Sequence, residues 1–514
     1  MFGRLRKESI GNERRTVFFP KRRSREKIQQ QREELGLSGS ETYQLLAPLS
    51  GKVLLESEPM QNVLAYCADW EPFIVNKEPK VNKNSPLTVN PQTGEIYLPN
   101  PFVIPSKSQG KSRQWGDTQF YWDEYFIGKA LVNSNNPRYL QIAKGQIDNF
   151  EYIFNLLGYI PNGSEMPIVT RSQTPYLTGM IMDIYEATGD KKWLDEKIAF
   201  AKKEYYDVWM YTEKDREEKG LRRPSHRISE DSLLLRYVGT DIINEHYAAA
   251  AAGTEDDSKE WAGRAHETVP ITLNCAVYKY EKEFAEAARI LGRPEEAAHW
   301  EAVAEKRKQE INEKMWDERE GTYFNLQLNR DTGKWEKDSS YHTLSTFMPL
   351  WVNMASREQA EKVMQHLPKF ESQYGLFIAS ADTAVDQTKI RRINRTAYAD
   401  YPRFVPALDD VFKENQWDYP NLWAPMEYFA FEGMLNFGKT QEAKKAIESS
   451  LRANAAFFQE KGTLPEKLNG LTGRNGKSYQ YNDQEGFGWR NAVTLIAAGR
   501  LLDIENGKIN PMLQ

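Results

Sequence analysis

Residues 261–315 decide the fold class, because they contain two long stretches with helical spacing of apolar side chains. The first reads WAGRAHETVPITLNCAVYKYEKEFAEAARIL (261–291), and the second reads PEEAAHWEAVAEKRKQEINEKM (294–315). The first stretch is rich in Ala, Glu and aromatic residues and predicts a long helix pair. Pro294 is favoured in the first turn of a helix, so it predicts that a further helix begins there and runs through Met315.

Segments of the same kind recur from about residue 130 to the end of the chain. They predict helices at 356–367, 440–458 and 489–504, each with one apolar stripe that needs a partner, and hairpin-like stretches near 321–338. Many amphipathic helices without alternating strands predict an all-α array of αα-hairpins. The absence of a fixed repeat argues against a regular solenoid. A closed toroid of helix pairs is the natural alternative, and periodicity alone does not choose between the two.

Composition limits the classes of protein that the chain can represent. The 514 residues are 40% hydrophobic and 12% aromatic, which is enough for a substantial core. The net charge of -5 and the mean hydropathy of -0.70 predict a water-soluble protein without a nucleic-acid partner. No run approaches 18 apolar residues, so no membrane span is expected. The first thirty residues lack the apolar core of a signal peptide, and Cys67 and Cys275 suit a reducing compartment. The predicted location is the cytoplasm.

The N-terminus differs from the rest of the chain in charge. Its basic residues include Arg4, Arg6, Lys7, Arg14, Arg15, Lys21, Arg22, Arg23, Arg25 and Lys27. Such a run is typical of a solvated or disordered tail, and the alternative is a docking arm for an anionic partner. We therefore expect a flexible basic extension over residues 1–40 and one catalytic domain over residues 41–514.

Three segments between the predicted helices are packed with Trp, Tyr, Asp and Gln. They read RQWGDTQFYWDEYF (113–126), QWDYPNLWAP (416–425) and YNDQEGFGW (481–489). Aromatic faces stack on the apolar faces of sugar rings, whereas acids and amides hydrogen-bond hydroxyl groups. Any single aromatic residue could equally belong to the core. Three such clusters in one chain favour a carbohydrate site.

These segments resemble the signatures of the trehalase family of glycoside hydrolases, and the resemblance runs from about residue 60 to 505. The matching motifs are FYWDEYF (120–126), PNG (161–163) followed by RSQ (171–173), QWDYPNLWAP (416–425) and QEGFGW (484–489). Leu422 stands where the family usually has glycine. The resemblance implies an (α/α)6 toroid with its active site at one end of the barrel. It also implies hydrolysis with inversion by two carboxyl groups, roughly 6.5–9.5 Å apart.

The resemblance assigns the two carboxyl groups by their local patterns. The general acid falls on Asp256, given Ser258 and Trp261, although the adjacent Asp257 is an alternative. Neighbouring acids would raise the pKa of one carboxyl, which a general acid needs. The structural alternative is an acidic turn that caps the following helix. The general base falls on Glu466, for which a solvated charge at a helix end is the alternative.

The same residue-by-residue match implies a set of sugar-binding side chains. They are Arg113, Trp122, Asp123, Asn162, Arg171, Gln173, Trp417 and Asp418, together with two departures from the family, His226 and Gln480. His226 stands about where a substrate-binding glutamate is usual, and Gln480 replaces another acid. Because sites that hydrogen-bond a substrate hydroxyl discriminate strongly, these changes could alter the substrate.

Three functions are consistent with these motifs. The first is an inverting trehalase; the second is a related inverting glycosidase for another small glucoside or mannoside, such as a glucosylglycerate-type solute; the third is a sugar-binding homologue without activity. The expected partner is a small sugar, and the sequence does not specify an oligomeric state. The histidines have no metal-ligand spacing, and glycosidases of this mechanism need neither a metal nor another cofactor.

Overall fold

The computed structural model describes residues 39–75, 89, 94–107, 117–165, 168–220, 223–238, 258, 264–380, 416–476 and 484–509. Helices dominate this part of the chain. In chain order they are α1 (Gly39–Leu46), α2 (Gly51–Glu56), α3 (Glu58–Cys67), α4 (Asp123–Asn133), α5 (Pro137–Leu157), α6 (Leu177–Thr188), α7 (Lys191–Glu204), α8 (Glu213–Lys219), α9 (Ile271–Ile290), α10 (Pro294–Lys314), α11 (Met348–Trp351), α12 (Arg357–Met364), α13 (Ala424–Asn436), α14 (Thr440–Lys461) and α15 (Gly488–Glu505).

The described strands are short and form small antiparallel sheets. They are β1 (Ile74–Val75), β2 (Phe102–Val103), β3 (Ser225–Arg227), β4 (Leu235–Tyr237), β5 (Thr268–Val269), β6 (Trp316–Asp317), β7 (Thr322–Tyr323), β8 (Leu326–Asn329), β9 (Lys334–Lys337), β10 (Glu371–Ser372), β11 (Gly375–Leu376), β12 (Asn421–Leu422) and β13 (Leu468–Asn469). The pairs are β1–β2, β3–β4, β6–β7, β10–β11 and β12–β13, and one sheet has the order β5–β8–β9. These sheets connect helices and do not form the core.

Six of the described helices close into an inner ring. Following their contacts, α4 packs against α6, α6 against α9, α9 against α11, α11 against α13, α13 against α15, and α15 returns to α4. Outer helices cover this ring, with α5 against α4, α7 against α6, α10 against α9, and α14 against α13. The protein is therefore an all-α (α/α)6 toroid, which confirms the fold that the resemblance implies and rules out an open solenoid.

The inner and outer helices differ in how much of their surface is buried. Every described residue from Asp123 to Leu131 of α4 is buried, and so is nearly all of α13. In α10, by contrast, the buried side chains are Ala297, Trp300, Ala304, Arg307 and Ile311, which form one stripe. A helix enclosed on all sides has to be apolar around most of its circumference, whereas a covering helix needs a single apolar face.

The predicted helices agree with the structure except at one place. The segments predicted at 294–315, 356–367, 440–458 and 489–504 correspond to α10, α12, α14 and α15, and the hairpin expected near 321–338 is β8–β9. The helix pair predicted over 261–291 is wrong. The described part of that stretch holds a 3₁₀ turn (Ala265–Glu267), β5 and the single helix α9. Pro270 explains the difference, because a residue before proline is held in extended conformation and β-branched residues favour it as well.

A buried ion pair joins an inner helix to its outer partner. Arg307 of α10 and Glu281 of α9 are both fully buried, with Nη2 2.8 Å from Oε1. Tyr205 donates a further hydrogen bond of 2.8 Å to the same carboxylate. Because two buried charges are stable only when they are fully paired, this contact fixes how α9 and α10 align. No helix among the described residues is long and apolar enough to cross a membrane.

Candidate active site

The candidate site residues lie before the first turns of inner helices. Each of the first five inner helices joins the outer helix that follows it through a short turn, such as residues 134–136 or 437–439, so the two are antiparallel and these inner helices share one direction. The last inner helix, α15, begins at the same end, because Trp489 in its first turn contacts Trp122 and Trp423 at the starts of α4 and α13. Their N-termini therefore meet at one end of the toroid. The motifs at 120–126, 171–173, 416–425 and 484–489 directly precede or begin α4, α6, α13 and α15. The fold brings four segments that are distant in sequence to the same end.

Main-chain hydrogen bonds join the first two motifs. Tyr121 donates its N–H to the oxygen of Asn162 at 3.0 Å, and Asn162 donates its N–H to the oxygen of Arg171 at 2.6 Å. The Gln173 side chain accepts a 3.1 Å hydrogen bond from the N–H of Trp122. Asn162, Arg171 and Gln173 are all buried. The loop before α4 and the loop before α6 therefore form one hydrogen-bonded unit.

Four tryptophans form a continuous aromatic cluster at this end of the barrel. Trp417 and Trp423 stack in parallel, with ring centroids 3.7 Å apart and an angle of 6° between the planes. Trp122 lies 5.9 Å from Trp417 and 5.2 Å from Trp489, and Trp489 lies 5.6 Å from Trp423. Stacked and edge-to-face rings at these distances attract each other beyond their area burial. Aromatic clusters of this kind have the flat apolar surface on which the C–H face of a sugar ring can stack.

Asp418 is held from two directions. Its Oδ1 accepts a hydrogen bond of 3.2 Å from Ser258 Oγ and another of 3.4 Å from the Tyr341 hydroxyl. Ser258 precedes α9, and Tyr341 precedes α11. Side chains from two further segments of the chain therefore contact the motif at 416–425.

The pairing of β12 with β13 places Glu466 in the site. Leu422 pairs with Leu468, and this pairing places Glu466 and Lys467 beside the motif that contains Trp417 and Asp418. Glu466 is 3% exposed, and Lys467 Nζ lies 2.8 Å from its Oε2.

Arg490 secures the main chain around Glu466 from the last inner helix. It is fully buried, and it donates hydrogen bonds to the oxygens of Pro465 at 2.9 Å and Leu422 at 3.0 Å. The Trp489 indole N–H donates to the Glu466 oxygen at 3.3 Å. These contacts leave the Glu466 backbone little freedom to move.

Asp123 is a further buried carboxyl at this place, in the first turn of α4. It is 3% exposed, and burial, followed by the charge of Glu466, raises its pKa well above the usual range. Glu124 lies next to it, and burial followed by the charge of Asp123 raises its pKa as well. Glu124 accepts a hydrogen bond from Gln146 of α5. A protonated Asp123 would donate a hydrogen bond to a sugar hydroxyl, whereas an ionised one would only accept.

A buried hydrogen-bond network supports the first motif from the core. Glu204 is fully buried and accepts hydrogen bonds from the Tyr121 hydroxyl at 2.8 Å and from the Tyr280 hydroxyl at 3.0 Å. Tyr280 also accepts the N–H of Leu177, the first residue of α6, at 2.9 Å. Burial raises the pKa of Glu204 to about 7, against the opposing effect of its tyrosine donors. The network ties the entrances of α4 and α6 to α7 and α9.

The structure places His226 apart from this cluster. It lies on β3 opposite Arg236 of β4, and its Nδ1 is 2.9 Å from Glu213 Oε2. The neighbouring pair, Ser225 and Tyr237, faces the other way, because the Tyr237 hydroxyl hydrogen-bonds Thr174 in the loop before α6. Paired residues on antiparallel strands share a face, and successive pairs alternate. His226 therefore points away from the loop that carries Gln173. Burial, with the charge of Arg236, lowers its pKa to about 4.

Several predicted site residues lie outside the described residues. They are Arg113, Asp256, Asp257 and Gln480. Ser258, two positions after Asp256, is described and contacts Asp418. In the described ranges, no group of three His, Cys, Asp or Glu side chains could hold a metal ion.

Sequence reasoning did not select four residues that the structure places in the site. Trp423, Lys467, Trp489 and Arg490 contact Glu466 or the aromatic cluster directly. The signal for Lys467 was its position next to a candidate base, and the signal for Trp423 and Trp489 was their place inside the quoted motifs. Arg490 had none, because a buried arginine within a helix is indistinguishable in sequence from an exposed one.

A helical toroid that gathers aromatic rings and buried carboxyl groups at the N-terminal end of its inner helices defines an all-α glycosidase. The chain belongs to the trehalase family, because the family model described as Trehalase matches residues 52–232 and 248–500. Together these observations identify the chain as a glycoside hydrolase of that family.

Individual relatives and solved structures agree with this assignment. The periplasmic trehalase of Citrobacter koseri is 28% identical over 453 residues, which cover 81% of this chain and 70% of that protein. The cytosolic neutral trehalase of Kluyveromyces lactis is 25% identical over 472 residues, or 79% of this chain and 57% of that protein. The neutral trehalase Nth1 of Saccharomyces cerevisiae superposes with a TM-score of 0.60 at 22% identity, over 81% of this chain and 78% of that one. This last similarity shows the shared fold.

Proposed function

We propose that the chain hydrolyses α,α-trehalose to two glucose molecules with inversion at the attacked carbon. Glu466 is the general base and Asp256 the general acid. The observation that carries the proposal is the position of Glu466: its carboxylate is buried at the end of the toroid where the tryptophan motifs meet, and it has a cationic partner. The names of the relatives support trehalose as the substrate.

The reaction assigns one step to each carboxyl. Asp256 gives its proton to the glycosidic oxygen while the bond from that oxygen to the anomeric carbon breaks. Glu466 removes a proton from a water molecule whose oxygen bonds to the same carbon from the opposite face. The released glucose keeps its α configuration, and the attacked glucose becomes β. Asp256 must therefore be protonated at the start, and Glu466 must be ionised.

The remaining site residues bind the sugar in this scheme. Trp122 and Trp417 supply apolar faces for ring C–H groups, and Asp123 and Asp418 supply hydrogen bonds to hydroxyls. Asn162, Arg171, Gln173 and Arg113 complete the polar contacts, and the positions of His226 and Gln480 distinguish this chain from the family pattern. The contact of Ser258 with Asp418 supports a place for the segment around Asp256 beside the second motif.

The test of this proposal is proton NMR of trehalose incubated with the purified protein. We expect α-glucose and β-glucose to appear in equal amounts before mutarotation mixes them. Asp256→Asn and Glu466→Gln should each lower kcat by about 10²- to 10⁴-fold, the usual contribution of a general acid or base. Asp257→Asn is the matched control and should retain near-normal activity.

Two results would contradict the proposal. Full activity of either carboxyl variant would remove that residue from the mechanism. Turnover of another small glucoside or mannoside, with none of trehalose, would retain the mechanism but change the substrate.

The cytoplasmic location is part of the proposal. It rests on the two cysteines, Cys67 and Cys275, which are both buried and unbridged, as is usual in a reducing compartment. The relatives include proteins named periplasmic and cytosolic, so relatedness alone does not select one compartment. Fractionation of the native host followed by immunoblotting distinguishes the two.

A further inference from the structure

Lys467 is a fully buried lysine whose ammonium group contacts both a carboxylate and an aromatic ring. Its Nζ lies 2.8 Å from Glu466 Oε2 and 5.3 Å from the centroid of the Trp423 ring. Its aliphatic stem passes under Gly476, where an added Cβ would lie 2.7 Å from Lys467 Cγ. Lysines are almost never fully buried unless they are paired. The surroundings of Lys467 are therefore built around its charge.

The charges near this lysine are unequally distributed. Glu466, Asp123 and Asp418 are buried carboxyls of this site, and the charge of Glu466 contributes to the raised pKa of Asp123. Asp418 accepts its own hydrogen bonds from Ser258 and Tyr341. Among the described residues, Arg490 is a second cation at this segment, and it donates to the main-chain oxygens of Pro465 and Glu466. Lys467 makes its salt bridge with the Glu466 carboxylate itself. When two carboxyls share a buried site, ionisation of one disfavours ionisation of the other, and a nearby cation decides which one keeps the charge.

We propose that Lys467 is a positioning residue that keeps Glu466 ionised and thereby leaves the proton on Asp123. This inference rests on the proposed role of Glu466 as the general base. It adds that two carboxyls of the same site have different protonation states and different roles. Glu466 carries the charge that activates water, and neutral Asp123 donates its O–H to a sugar hydroxyl. Without the ammonium group, the two carboxyls would compete for one charge.

The first test is the pH dependence of kcat/KM for trehalose in Lys467→Met and Lys467→Arg. In Lys467→Met we expect the acidic limb of the profile to move up by about one pH unit or more, because Glu466 then loses its charge at higher pH. Measured at the wild-type optimum, kcat should fall at least about 10-fold, with a smaller change in KM. Lys467→Arg retains the charge and should restore the wild-type limb.

The coupling to the second carboxyl gives an additional prediction. Adding Asp123→Asn to Lys467→Met removes the competing group, so the acidic limb should return toward lower pH. A lysine with only a packing role would lower activity or melting temperature in Lys467→Met without moving either limb. That result would overturn the proposal.

A second readout does not require catalysis and separates this inference from the proposed function. In protein labelled with carbon-13 at the glutamate side-chain carboxyl, Glu466→Gln identifies the resonance of Glu466 by its loss. The titration midpoint of that resonance should be at least about one pH unit higher in Lys467→Met than in the wild type. The outcome holds even if the protein hydrolyses no trehalose. An unchanged midpoint would overturn the inference whether or not the enzyme is active.

The chain offers a matched control and a variant that keeps the lysine. Glu460 and Lys461 form another adjacent pair, 3.3 Å apart but partly exposed, so Lys461→Met should leave the Glu466 resonance and the pH profile unchanged. If Lys467→Met does not fold, as judged by circular dichroism, Gly476→Ala retains the charge while pressing on the lysine stem. It should shift the same midpoint in the same direction, and no shift in this variant would contradict the proposal.

Discussion

Glu204 shows how burial gives a single carboxyl an effect on the whole fold. It lies among the hydroxyls of Tyr121 and Tyr280, and burial raises its pKa to about 7 from an ordinary value of 4.5. Because its folded-state pKa is raised, the folded protein binds a proton that the unfolded chain releases. This contribution to stability is complete below about pH 4.5 and is lost as the pH rises through about 7.

Glu204→Gln should remove that dependence. Between pH 4.5 and 7 the wild type should lose up to roughly 3 kcal/mol of unfolding free energy relative to the variant. Urea unfolding followed by tryptophan fluorescence at several pH values measures the difference. Glu286→Gln, at an exposed position of α9, is the control and should follow the wild-type curve. If the Glu204→Gln and wild-type curves run parallel over this range, folding does not raise the pKa of Glu204.

At the scale of elements, substituting alanine for two helical glycines should change stability in opposite directions. Gly433 in α13 faces α11 closely, since an added Cβ would lie 2.9 Å from the Trp351 nitrogen and 3.1 Å from the Phe347 oxygen. Gly433→Ala should therefore force the two inner helices apart and lower stability by roughly 1–3 kcal/mol. Gly128 in α4 has no atom within 4 Å of an added Cβ. Gly128→Ala should raise stability by roughly 0.5–1 kcal/mol, the helix-propensity difference.

Thermal unfolding by circular dichroism distinguishes the two variants. We expect a lower melting temperature for Gly433→Ala and an equal or higher one for Gly128→Ala. The pair controls for helix propensity, since both substitutions are the same and both sites lie inside inner helices. Equal shifts in one direction would mean that the spacing of α11 and α13 does not limit the packing of the ring.

Local sequence signals predicted the elements well where the apolar residues follow helical spacing throughout a segment. Pro294 begins α10 as expected, and α14 ends at Lys461, followed by Gly462 with φ 69°. The prediction fails over 264–270, where apolar residues at helical spacing belong to β5 and to the turn before it. Periodicity does not show that two β-branched residues before a proline will extend and pair with β8.

Side-chain neighbours were harder to predict than the elements. The motifs indicated Trp122, Trp417 and Glu466, and the structure gathers these residues at one end of the toroid. The buried partner of the base and the stacking of Trp423 depend on β12–β13 pairing across residues 421–469, which no local pattern encodes. The roles assigned to Asp256 and His226 stay predictions.

At the scale of the molecule, Arg490 couples closure of the ring to the candidate base. It lies on α15, the helix that packs against α4 and completes the circle. Its guanidinium donates to Pro465, Leu422 and Glu466 oxygens and to the Asn454 side chain. Only a planar fork of five donors satisfies acceptors in so many directions. The last helix therefore has to be in place before the segment carrying Glu466 is fixed.

Arg490→Lys should consequently reduce both stability and activity. A single ammonium leaves several buried carbonyls unpaired, at roughly 1–3 kcal/mol each, so we expect a loss of at least about 3 kcal/mol. Arg500→Lys is the matched control on the same helix, because Arg500 pairs with Glu432, away from Glu466. Both variants should melt at lower temperature, but only Arg490→Lys should lower kcat when assayed well below its melting point. Loss of stability in Arg490→Lys with wild-type kcat would show that α15 closes the ring without positioning the base.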